Sequence, residues 1–123
     1  SADDFDILFG TRDPEEIYRT HIAPFCPIFI CTAGAGHIFI CTPRGTYDFI
    51  VPQIPAEEIV STVGAGDSFN AGFLCAMHRQ AICKADLADM SHNQWKLLVE
   101  HGIKYSSQVC RSQDNYIKPL SDK

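Results

Sequence analysis

The chain is predicted to fold as an α/β domain, a few central strands with helices packed on them. Three observations carry this. Pro27 to Thr32 is apolar, β-rich and bounded by Pro and Gly, as a buried strand is. Phe69, Gly72, Phe73, Ala76 and Met77 recur at spacings of three and four, one face of a helix. Trp95, Leu98, Val99, Gly102, Tyr105 and Val109 repeat that spacing.

In chain order, Ala2 to Phe9 reads as a short helix with Phe5, Leu8 and Phe9 on one face, stopped by Gly10. Asp13-Pro14-Glu15-Glu16 opens a second helix, running to about His21. Asp13 suits the cap and Pro14 the first position, and Glu16 completes a capping box. The strand from Pro27 to Thr32 is expected to be parallel. Thr32 to Gly36 then turn the chain. His37 to Thr42 and Thr46 to Val51 form a hairpin around Pro43-Arg44-Gly45. Pro52 to Glu58 is a Pro-punctuated connector. The helix that follows runs from Gly66 to Arg79 or Ile82. Ala71, Gly72 and Cys75 are small enough to bring it close to the sheet. Cys83 to Met90 is a loop or short helical turn. Ser91-His92-Asn93-Gln94 fits a capping box for the last helix. From Arg111 the chain turns polar and reads as a tail.

The 123 residues suffice for one domain with its own core. A net charge of −5 argues against nonspecific binding to nucleic acid or anionic membrane. No apolar run reaches membrane-spanning length, and no signal peptide is visible. The six cysteines form no C-x-x-C, and no His pair stands at zinc spacing. Cys31, Cys41 and Cys75 read as small buried hydrophobes. Reduced thiols in a cytoplasmic protein are the expectation.

The chemistry concentrates at Ser61-Thr62-Val63-Gly64-Ala65-Gly66-Asp67-Ser68-Phe69. The first N–H groups of a helix lack intrahelical partners, and the helix dipole adds partial positive charge there. Glycines let a ligand approach the backbone closely. Together they make an anion site, most often for phosphate. A carboxylate would repel phosphate, so Asp67 is better placed to take a proton from a hydroxyl that attacks it. The plain alternative is an acid that merely complements the helix dipole. There is no Walker A motif, and Phe69 stands where a dinucleotide fingerprint needs its third glycine.

This stretch resembles the C-terminal signature of the PfkB (ribokinase-like) carbohydrate kinases, D-T-x-G-A-G-D-x-F, with Ser61 in place of the usual acid. The resemblance implies the C-terminal, nucleotide-binding part of a ribokinase-like three-layer α/β fold. It covers residues 1–110, with 111–123 as a polar tail. Gly64, Ala65 and Gly66 would form the anion hole and Asp67 the catalytic base. ATP and Mg2+ would be the nucleotide and metal, and a small sugar or nucleoside the acceptor. Thr32 and Gly34 match two of three fixed positions in a T-x-G-x-x-G phosphate element, where His37 replaces the last glycine. Gly102, Ile103 and Ser106 are the nearest candidates for an adenine pocket, with core packing as the alternative. Ser1 and Asp4 fall on an N-x-x-E motif, making Asp4 a candidate to organise magnesium through phosphate or water. The signature's acid ligates a monovalent cation in many members, which puts that cation in doubt here.

Family members are more than twice this long, and the chain opens without Met, which suggests a fragment or processed product. A noncatalytic nucleotide-binding or interaction module is therefore the alternative, and a separate chain could supply the rest. An uncovered apolar sheet edge would favour self-association, a homodimer being the simplest form.

Overall fold

A computed structural model describes residues 1–33, 36–114 and 116–117. The chain divides into two compact units, Ser1–Gln53 with Cys83–His92, and Ile54–Ile82 with Asn93–Lys123.

The first unit opens with α1 (Ala2–Phe9). Its start is a capping box between Ser1 and Asp4, and Gly10 ends it in the left-handed conformation at φ 70°. α2 (Pro14–Ile17) has Asp13 as cap and Pro14 at its first turn. The predicted Glu16 capping box is replaced by a relay. The Asp13 N–H donates to Thr11 Oγ1 (3.2 Å), and the Thr11 hydroxyl donates to Glu16 (3.0 Å). Thr11, two residues upstream, reaches the Asp13 amide first. Past Ile17 the winding loosens into a π-turn over Tyr18–Ile22, with the Ala23 N–H reaching back to Tyr18 O at 2.7 Å.

Three strands follow, β1 (Phe29–Ala33), β2 (His37–Thr42) and β3 (Gly45–Ile50). They lie in the order β1-β2-β3, every pair antiparallel. The parallel expectation for β1 fails for a geometric reason. Only residues 34–36 separate it from β2, whereas a parallel crossover needs about a dozen or more. Pro43 and Arg44 close the β2–β3 hairpin. There Thr42 Oγ1 accepts from the Arg44 N–H and donates to Gly45 O, both at 3.1 Å. Alternation puts Phe29, Cys31 and Cys41 on one face, where they pack with Ala2 and Ile17. Ile38 and Ile40 fill the other face, and both are buried. Thr32 sits opposite Ile38 on that second face, half-buried.

The second unit is built on α3 (Ala65–Arg79) and α4 (His92–Cys110). Gly72 does allow close packing, but against α4 rather than the sheet. A Cβ there would stand 2.6 Å from the His101 carbonyl oxygen and 2.9 Å from the Tyr105 ring. A Cβ on Gly102 would stand 2.6 Å from the Phe69 ring. Phe73 stacks on the buried Trp95 with ring centroids 6.4 Å apart. Ala71 and Cys75 are exposed, contrary to expectation. They lie four residues apart on the face of α3 turned away from Phe69, Gly72, Phe73 and Ala76.

All six cysteines are free thiols. Burial pushes the Cys31 and Cys41 thiols up, which suppresses the reactive thiolate. Iodoacetamide at neutral pH should label the exposed Cys26, Cys75 and Cys83 first. Cys31 and Cys41 should react only on unfolding, as peptide mass spectrometry would show. A second outcome follows from the glycine contacts. Gly72→Ala should cost about 1–3 kcal/mol in urea unfolding, because its neighbour is backbone and cannot rotate away.

Candidate active site

The loop before α3 is assembled from backbone bonds within the second unit. The Cys110 carbonyl at the end of α4 accepts two N–H groups, from Val60 (2.8 Å) and Ser61 (3.3 Å). Ser61 Oγ then accepts the Val63 N–H at 3.2 Å, a local turn typical of hydroxyl residues. The Ala65 N–H bonds Thr62 O at 3.2 Å. Gly64 caps the helix at φ 82°, ψ 0°, a left-handed conformation that costs a side-chain-bearing residue about 1–2 kcal/mol. Its carbonyl accepts the Ser68 N–H at 2.9 Å, the first bond of the helix ladder.

This pattern determines which donors stay open. No side chain caps α3. Among the described residues the N–H groups of Gly64, Gly66 and Asp67 have no hydrogen-bond partner, whereas that of Ala65 is used by the turn. The open donors therefore bracket Ala65. A Cβ on Gly66 would meet nothing within 4 Å, so that side is free for a ligand. Asp67 is exposed on the first turn, and its carboxylate has no hydrogen bond or ion pair among the described residues. The arrangement can receive an anion on the amides and a proton on the carboxylate beside them.

The other predicted residues are placed as follows. Gly102 lies against Phe69, two residues beyond Asp67, and so is a helix-packing position. Ile103 and Ser106 are half-buried on the next turn of α4, and the Ser106 hydroxyl donates to Ile103 O at 3.2 Å. Thr32 and Asp4 belong to the first unit, and Gly34 lies outside the described residues. The Asp4 carboxylate accepts the Ser1 hydroxyl at 2.7 Å and the Ser1 amino group at 3.1 Å. These contacts hold it below the usual carboxylate range. His37 is half-exposed and bonds Asp48 at 2.7 Å.

Sequence reasoning missed the Cys110 carbonyl and the Arg111–Glu58 ion pair (3.8 Å) beside it. The first is a backbone group with no sequence signal. The second had only a weak one, a cation just past a helix end.

The profile of the pfkB family carbohydrate kinases matches residues 1–114. The chain belongs to this family. The 2-dehydro-3-deoxygluconokinase of Escherichia coli (strain K12) is 32% identical over 75 residues, covering 60% of this chain and 24% of that protein. The pfkB-family chain thus spans about a quarter of the curated relatives it matches. Aminoimidazole riboside kinase from Salmonella enterica, solved with aminoimidazole riboside and an ATP analog, superposes with a TM-score of 0.69 at 23% identity. It covers 91% of this chain and 34% of that one. A fructokinase double mutant from Vibrio cholerae O395, solved with fructose, ADP and potassium, gives 0.66 at 21% identity, covering 93% and 34%. These likenesses establish the ribokinase-like α/β fold for the pfkB-family chain.

Gly66→Ala should leave the unfolding midpoint unchanged or slightly raised, since its Cβ meets open space and alanine favours a helix by up to about 1 kcal/mol. Set beside Gly72→Ala in the same urea titration, it separates a glycine with open space beside it from one kept for packing.

Proposed function

We propose that this chain is the nucleotide-binding, C-terminal part of a kinase that moves the γ-phosphoryl group of ATP to a hydroxyl of a small sugar or nucleoside. One observation carries the reading. The open amides at the start of α3 stand beside an exposed, unpartnered carboxylate on the same turn. The Gly64 and Gly66 amides, joined by that of Asp67, hold charge developing on the transferring phosphate. Asp67 takes the acceptor hydroxyl's proton as the oxygen attacks, leaving the P–O bond to ADP to break in line. Ile103 and Ser106, on α4 of the same unit, border the adenine. Gly102 serves there only through the packing it permits.

Magnesium, when bound, neutralises the phosphates. Among the described residues no three His, Cys, Asp or Glu side chains gather to hold a metal. On this reading the ion is carried mainly by phosphate and water, for which one or two carboxylates suffice. Asp4, exposed and kept ionised, is the candidate to hold one of those waters. Potassium fits poorly. Ser61 brings a neutral oxygen that already accepts the Val63 N–H, the Cys110 carbonyl already takes two N–H groups, and Glu58 is paired with Arg111.

The chain spans only about a third of the solved kinases it resembles. A second reading stands beside the first. On that reading it binds nucleotide without transferring phosphate by itself. A cytoplasmic setting suits both readings, since all six thiols are free. Among the described residues no helix is long and apolar enough to cross a membrane.

Calorimetry with ATP and Mg2+ tests binding by the chain. Gly66→Val should abolish it, and Asp67→Asn should keep it. In the complete kinase Asp67→Asn should lower kcat by at least about a hundredfold, the scale of general-base catalysis. Near-normal turnover in that variant would remove the base from Asp67. Retained nucleotide binding without turnover in the complete protein would select the second reading.

A further inference from the structure

A loop that offers unpaired N–H groups to a ligand needs something to hold it in that shape. The means are visible in the second unit. The last carbonyl of α4 lies at the negative end of the helix dipole, where a cation would otherwise be favoured. Here Cys110 O is taken by two protein donors, the Val60 and Ser61 N–H groups, one for each lone pair. One residue on, Arg111 pairs with Glu58, which precedes the loop by two residues. Ser61 then closes the next step by accepting the Val63 N–H. The protein itself thus ties the Glu58 side chain and the Val60, Ser61 and Val63 amides.

We infer that the end of α4 and the Ser61 hydroxyl replace a monovalent cation in this chain, so that the anion loop is ordered without potassium. The use made of that order, phosphate binding, rests on the kinase reading. The order itself does not. Ser61 is a positioning residue on this account, because it acts through the Val63 amide and touches no substrate.

The test is amide hydrogen exchange at Val60, Ser61 and Val63 in potassium chloride and in tetramethylammonium chloride of equal ionic strength. Exchange in the parent chain should agree within about twofold between the two salts, since the local opening involves no ion. Ser61→Ala should speed exchange at Val63 equally in both salts. Ser61→Asp, which restores a charged oxygen, should make the loop slower to exchange in potassium only. Potassium slowing the parent loop by about fivefold or more would overturn the inference, as would free-peptide exchange at Val60 in both salts. ADP affinity measured in the same two salts should also be equal. If the parent bound no ADP, the kinase reading would fail, while the exchange data would still decide how the loop is held.

Discussion

At Gly72 the two helices of the second unit meet backbone to backbone, with the His101 carbonyl 2.6 Å from where a Cβ would be. Gly102 repeats the contact one face over, taking the Phe69 ring against its Cα. These two absences of a side chain set how closely α3 and α4 approach. The approach sets where the end of α4 lies, and so where Cys110 can catch Val60 and Ser61. The shape of the anion loop thus depends on packing contacts one to two turns away. Close-packed interiors transmit such constraints because they have little free volume to absorb a shift.

The electrostatics of the site are local. The chain as a whole is acidic, at −5, which would not draw a polyphosphate. In the proposed site the attraction would come from amides left open among the described residues and from the positive end of α3, which act over a single turn. Asp67 shares that turn and would oppose an anion if it faced one. Its carboxylate is exposed and has no hydrogen bond or ion pair among the described residues, as the proposed role of meeting a hydroxyl requires. The same physics serves Ser1 and Asp4 differently. There the helix start is closed by its own capping box, so the Ser1 amino group and the Asp4 N–H are satisfied internally.

Where the sequence was readable, the signal was local. The limits of α1, β2 and the β2–β3 hairpin follow from caps, alternation and a two-residue turn, all within a few positions. The signature loop was legible for the same reason: Gly64 at φ 82° and an uncapped helix start are consequences of neighbouring residues. Errors came where a remote partner or a connection length decided. The strand direction of β1 depends on the short link to β2. Burial of Cys75 was read from an apolar stretch, yet it lies on the exposed side of α3. Glu16 lost its expected capping role to Thr11, a competing hydroxyl two residues upstream of the cap.

By itself the sequence determined the helix and strand inventory, the family signature, and the pairing of a glycine loop with an acid on one helical turn. Those are properties of short stretches, governed by backbone conformation and side-chain type. The tertiary structure alone decided which glycine is needed for packing and which has open space beside it, because Gly72 and Gly66 differ in what stands opposite them. It also decided which amides stay open, because the bonds that close the others come from Thr62, Ser61 and the far end of α4. A hydrogen bond to a backbone carbonyl fifty residues away leaves no mark on side-chain identity, so folding was needed to reveal it.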